Sequence, residues 1–241
     1  KDNAGIDLDV LGMTPATNKL LRHALAEPNG IILVTGPTGS GKTTTLYGAL
    51  RLLNDGTRNI LTIEDPVEYA IEGVSQTQVN PKIELTFAAG LRAILRQDPE
   101  VVMVGEIRDR ETAEIAVQAA LTGHLVMSTV HTNDAVGAIT RMRDMKVEPF
   151  LLASTLRAVI AQRLVRRLCE HCRRAVPASP SIAALLGIEA GTTVYEPAGC
   201  EQCSQTGFKG RMGVFEAVRI DEPIRRLINV GGDEAAIARH A

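Results

Sequence analysis

Between residues 36 and 43 the chain reads Gly36-Pro37-Thr38-Gly39-Ser40-Gly41-Lys42-Thr43, and Thr44 follows. The string fits G-x-x-x-x-G-K-[ST] at each fixed position. It also lies where that pattern needs to lie, between the apolar run Ile31-Ile32-Leu33-Val34 and an amphipathic stretch from Lys42 to Leu53. Glycines let a backbone wrap around phosphate oxygens with its N–H groups turned inward, where a Cβ would obstruct. The following helix adds the positive end of its dipole. Lys42 is expected to reach the β- and γ-phosphates, and the Thr43 hydroxyl to ligate Mg²⁺. A glycine-rich strand–helix turn matching by chance is the alternative, and the flanking pattern argues against it.

The same alternation continues along the chain. Ile60-Leu61-Thr62-Ile63, Val101 to Val104 and Leu125 to Thr129 read as buried strands. Val74, Gln76 and Gln78 suggest a further exposed strand. Helices are expected after Thr86, over Glu111 to Leu121, from a cap at Asn133 or Asp134 to Met145, and from Pro149 through Ile160. Repeated strand–helix units imply parallel strands with helices on both faces. After Gly213 only a short helix, Pro223 to Asn229, is read. The ends look cut, because Lys1 stands in place of Met and the pattern Ala235-Ala236-Ile237 stops without a cap.

Composition narrows the partners. The 26 basic and 28 acidic residues leave a net charge of −2, which gives no global pull toward nucleic acid. Aromatics are 3% of the chain with no Trp, too few for a base-stacking surface. No apolar run approaches the ~20 residues of a membrane-spanning helix, so a cytoplasmic protein is expected.

Cleavage of a triphosphate needs acids beside the loop. Glu106 follows the Val101–Val104 strand with Gly105 between, and Glu64 follows Ile63 in Glu64-Asp65-Pro66-Val67-Glu68. Strand ends of an open α/β sheet converge on the ligand crevice, so both acids are expected to face one site. Glu106 is read near Mg²⁺ and Glu64 as the base, although spacing does not separate the roles; a merely solvated Glu64 is the alternative. His131 lies past the end of the Leu125 strand, where a polar group can sense the γ-phosphate, or can be a hydrogen-bonded structural residue. His124 lies at the other end. Arg92 and Arg96 share one helix face and could serve a neighbouring subunit's nucleotide, against the ordinary alternative of surface ion pairs.

The four cysteines form Cys169-x-x-Cys172 and Cys200-x-x-Cys203. Two such pairs can close a tetrahedral thiolate shell around a structural Zn²⁺. Disulfides or redox chemistry are the alternatives. The Arg-rich run over 157–174 is read as a solvated face or a subunit contact, or as a surface for acidic partners or lipid headgroups.

Taken together these segments resemble the ATPase superfamily of type II secretion and type IV pilus assembly. The resemblance runs through Leu11-Gly12-Met13, the 36–43 loop, Ile63 to Tyr69, Leu91 to Pro99, Gly105-Glu106-Ile107-Arg108-Asp109 and Gly123 to Thr132. Gly105 is then a normal feature of that second acid segment. Gln76 to Lys82 and the cysteine spacing are most similar to the type II secretion ATPases. The resemblance implies an α/β fold with a RecA-like P-loop NTPase core and a mostly parallel sheet, over residues 1–164. It further implies a tetracysteine zinc-binding insert over 165–211 and the truncated start of a C-terminal helical region over 212–241. ATP and Mg²⁺ at the loop, ATP hydrolysis that drives pseudopilus assembly, and structural Zn²⁺ at the cysteines follow as expectations. So do a homo-hexamer, a place on the cytoplasmic face of the bacterial inner membrane, contact with the secretion platform there, membrane contact only through partners, and no specific nucleic acid. N-terminal domains preceding Lys1 are implied too. A type IV pilus assembly ATPase is the near alternative; a nucleic-acid motor or a nucleotide-binding scaffold are remote ones.

Overall fold

The computed structural model describes residues 7–241. In chain order the helices and strands are α1 (Pro15–Leu25), β1 (Gly30–Thr35), α2 (Lys42–Leu53), β2 (Ile60–Glu64), β3 (Ser75–Gln78), α3 (Phe87–Leu95), β4 (Val101–Val104), α4 (Arg110–Leu121), β5 (Leu125–Val130), α5 (Ala135–Asp144) and α6 (Pro149–Thr155). They continue as β6 (Leu156–Leu168), β7 (Arg174–Pro177), α7 (Pro180–Leu186), β8 (Thr193–Glu196), β9 (Phe208–Arg219), α8 (Glu222–Asn229) and α9 (Glu234–Ala238).

Seven strands form one sheet in the order β3-β2-β4-β5-β1-β6-β9. The pairs β3/β2, β2/β4, β4/β5, β5/β1 and β1/β6 are all parallel. β1, β2, β4 and β5 are buried along their whole length, as apolar strands covered on both faces must be. Alternation along each strand splits the core. Ile32, Val34, Met103 and Met127 point toward α1 and α2, where Leu21, Leu46, Tyr47 and Leu50 pack. Ile31, Leu33, Val102, Val104 and Val126 face α3, α4, α5 and α6 through Leu91, Ala116, Ile139 and Leu152.

Helix starts are written into the sequence. Thr86, Asp109 and Asp134 each accept a hydrogen bond from the backbone N–H three residues on, at α3, α4 and α5. The exposed strand read from Val74 to Gln78 is β3, an edge strand on β2.

Two readings are corrected. The helix from Pro149 does not reach Ile160: it ends at Thr155, and Leu156 begins β6. Leu156 to Ala161 is a mostly apolar run whose periodicity fits helix or strand, and pairing with β1 decides for strand. Residues from 212 onward are not a separate helical region. The chain divides into two compact units, one running through Arg163 and resuming at Gly213–Ala241, the other spanning Leu164–Met212. Ile224 and Ile228 of α8 and Ile237 of α9 lie in the same buried cluster as the sheet. The smaller unit holds the antiparallel hairpin of β7 and β8 with α7 between them.

Candidate active site

Parallel pairing brings the C-terminal ends of β1, β5, β4 and β2 to one edge of the sheet. The 36–43 loop leaves β1 and enters α2 at Lys42. Gly36 has φ +144, and a Cβ there would lie 2.2 Å from the carbonyl oxygen of Gln162, so the turn needs glycine. Lys42 Nζ folds back onto the loop, donating to the carbonyls of Gly36 at 2.8 Å and Pro37 at 3.0 Å. Burial pulls the Lys42 ammonium below its usual range, and the Glu106 carboxylate partly offsets this. Pro37, Thr38, Gly39 and Thr43 are exposed, Gly41 and Thr44 half-buried and Ser40 buried.

A residue absent from the sequence reading holds this loop. Gln162 of β6, 3% exposed, accepts from Thr45 Oγ1 at 2.7 Å and donates through Nε2 to Ser40 O at 2.7 Å. Its signal in the sequence was a lone polar amide just past the apolar run Ala158 to Ala161, beyond the end of the expected helix at Ile160.

The two acids have different surroundings. Glu64, 2% exposed, accepts from Tyr47 Oη, from Thr62 Oγ1 and from Gln76 Nε2 at 3.1 Å. Burial, then the Glu64 hydrogen bond, pushes the Tyr47 phenol up. The same phenol oxygen accepts from the backbone N–H of Glu68 at 3.1 Å. Glu106 instead sits just beyond β4 between two nitrogen donors: His131 Nε2 lies 2.8 Å from its Oε1, and Arg108 Nε bonds its Oε2. Neighbouring strands are about 4.8 Å apart, so the Glu106 strand lies about 10 Å from the loop strand and the Glu64 strand about 14 Å.

Thr35 ties the loop to the β5 end. Its hydroxyl donates to Val130 O at 2.9 Å and accepts from Thr132 N at 3.0 Å, on either side of His131. His124, at the start of β5, bonds Ala119 O at 2.8 Å, far from these groups. Arg92 pairs with Glu111 at 2.7 Å. Among the described residues neither Arg92 nor Arg96 makes a hydrogen bond or ion pair with the loop, Glu64 or Glu106.

In the smaller unit, one Sγ from each of Cys169, Cys172, Cys200 and Cys203 falls within 4.8 Å of the others. Burial opposes a thiolate at Cys203, but N–H donors from Cys200 and Gly207, each at 3.2 Å, bring it down to about 6. Burial lifts Cys172 to about 11, although the Gly199 N–H opposes this.

The family model described as "Type II/IV secretion system protein" matches residues 1–241. The chain belongs to this family. Type II secretion system protein E of Aeromonas hydrophila is 60% identical over 99% of this chain and 48% of that protein. Type II secretion system ATPase E of Vibrio cholerae is 54% identical over 100% of this chain and 48% of its own length. The chain therefore spans about half the length of the curated relatives it matches. Among solved structures, the pilus retraction motor PilT with bound ADP superposes at a TM-score of 0.69 with 32% identity, covering 94% of this chain and 56% of PilT. The ATPase DotB of Legionella pneumophila gives 0.67 with 26% identity, covering 97% and 56%.

The donor groups of this secretion-family chain fit the ligands expected of them. Ser40 Oγ is buried in the loop without a hydrogen-bond partner among the described residues, and the Gly36 turn would be blocked by a Cβ, as a backbone cradle for phosphate requires. Four mutually close sulfurs with backbone N–H donors on two of them fit a closed thiolate shell. Among the described residues no helix is long and apolar enough to cross a membrane.

Proposed function

We propose that this chain is the ATP-hydrolysing portion of a secretion motor. As a homo-hexamer on the cytoplasmic face of the inner membrane, held there by the type II secretion platform proteins, it powers pseudopilus assembly. One observation carries the ATPase reading: the Lys42 loop and the Glu106–His131 pair stand at neighbouring ends of parallel strands.

In this reading the loop amides from Gly36 to Thr44 cradle the phosphates. Lys42 exchanges its two carbonyl partners for phosphate oxygens. Thr43, with Glu106 behind it, would hold Mg²⁺, which supplies charge neutralisation at the transferred phosphoryl group. Glu106 also orients the attacking water and takes its proton, with His131 fixing the carboxylate's direction. The base role passes from Glu64 to Glu106, because Glu64 already accepts from three protein donors. Glu64 holds the end of β2 against α2. Arg92 and Arg96 remain available only to a neighbouring subunit. Zn²⁺ held by Cys169, Cys172, Cys200 and Cys203 would tie the smaller unit together and has no place in the reaction.

The test is Mg²⁺-dependent phosphate release by the full-length assembled protein. Lys42→Ala should abolish release while leaving the melting temperature unchanged; equal turnover in that variant would overturn the reading.

A further inference from the structure

At the end of the sheet opposite the loop, where β1 and β6 begin, a cavity of about 190 Å³ is lined by His23, Glu27, Arg157, Arg219, Asp221 and Arg225, among others. A guanidinium is fixed in its wall. Arg157 donates through Nε to Asn29 O at 3.1 Å, through Nη1 to Ser154 O at 2.8 Å and through Nη2 to Asn29 Oδ1 at 3.3 Å. All three hydrogen-bond acceptors are neutral, so among the described residues no carboxylate bonds this guanidinium directly. The backbone makes room for it: Gly30 has φ +127, and a Cβ there would lie 2.5 Å from Arg157 Cγ.

A second guanidinium stands beside it. Arg225 is close enough to act on Arg157 through its charge, and its Nε is buried without a hydrogen-bond partner among the described residues. Among the described residues neither Arg219 nor Arg225 forms an ion pair. The acids at the rim form no ion pair with these arginines among the described residues, although the Glu27 carboxylate acts on Arg157 through its charge. Asp221 Oδ1 accepts from Ile224 N at 3.0 Å, Glu222 pairs with Arg226 at 3.1 Å, and Glu27 lies 3.9 Å from His23 Nδ1.

Two partly buried guanidiniums side by side repel, and a shared anion turns that repulsion into two charge-assisted contacts. The cavity is smaller than the roughly 300–1,000 Å³ of pockets that enclose whole small molecules. It has room for a phosphate group and none for an entire nucleotide. We infer that this cavity is a second anion site, distinct from the 36–43 loop, which takes one phosphate group between Arg157 and Arg225 with Arg219 at its mouth. The phosphate is either free or the terminus of a monoester whose remainder stays outside.

Side-chain ¹⁵N NMR of the arginine Nε–H groups tests this in the intact chain, because it reads the cavity separately from the loop. Titration with inorganic phosphate should shift the Arg157 and Arg225 signals with saturation. Arg225→Gln should weaken the phosphate response of Arg157 about tenfold or more, the loss of one charge-assisted contact. Arg225→Lys, which keeps the charge without the fork, should lose less, and Arg219→Gln gives an independent check from the mouth. A matching response to glycerol phosphate assigns a phosphomonoester, and its absence assigns free phosphate. Signals that stay still, that move equally with sodium chloride at matched ionic strength, or that respond alike in Arg225→Gln would overturn the site.

Discussion

His131 Nε2 lies 2.8 Å from Glu106 Oε1, so a side-chain contact joins the strand ends of β5 and β4 beside the 36–43 loop. Glu106→Gln keeps the size of the side chain but cannot take a proton. It should lower kcat by about 10²–10⁴-fold with ATP binding retained. His131→Ala should cost less alone and add little on top of Glu106→Gln, because both act through one carboxylate. Single-turnover kinetics with a fluorescent-nucleotide binding assay checks both; full activity in Glu106→Gln returns the base role to Glu64.

Gln162 joins Thr45 Oγ1 and Ser40 O through one amide. Gln162→Leu leaves both groups buried and unsatisfied, a cost of about 1–3 kcal/mol each. The expected result is weaker nucleotide binding and a lower melting temperature. Gly36→Ala should lose binding outright, since its Cβ would meet Gln162 O at 2.2 Å. Calorimetry on both variants measures the two effects.

Tyr47 is expected to resist alkali. Phenols ionise near pH 10, and burial with the Glu64 hydrogen bond raises the folded value above that. The sign follows: the stabilisation is complete below the unfolded pKa and is lost as pH rises past it, when only the unfolded phenol ionises. Tyr47→Phe should leave the native absorbance titration around pH 10 unchanged while removing one tyrosine from the denatured titration. It should also cost about 1–3 kcal/mol of stability in urea unfolding.

The four-cysteine cluster predicts one zinc per chain by elemental analysis. Cys203→Ser should lower the zinc content and expose the 164–212 segment to proteolysis. Chelation of the parent protein should reproduce that cleavage pattern.

How far the sequence revealed this architecture depended on how each signal is encoded. The loop was legible because its chemistry is local: eight consecutive residues and their flanks define it. The caps Thr86, Asp109 and Asp134 were legible for the same reason, as were Glu106 and His131, each beyond an apolar strand. Gln162 and Tyr47 were not, because their partners lie 117 and 17 residues away, and only the packing of β6 on β1 and of α2 on β2 brings them together. β6 itself was misread because Leu156 to Ala161 carries too little polar content to show a period. The 212–241 segment was set apart as a helical region on the family resemblance, whereas Ile224, Ile228 and Ile237 bury in the main core. The roles of Glu64 and Glu106 could not be separated by spacing. The strand order, with β4 closer than β2 to the loop strand, places the two acids differently and is what the proposed roles build on.

Thr35 gives the bond pattern at the sheet edge a mechanical meaning. One hydroxyl fastens the root of the cradle to the stretch bearing His131, through Val130 O on one side and Thr132 N on the other. The imidazole thus hangs from the same post as the loop, and the two rise or fall as a single piece.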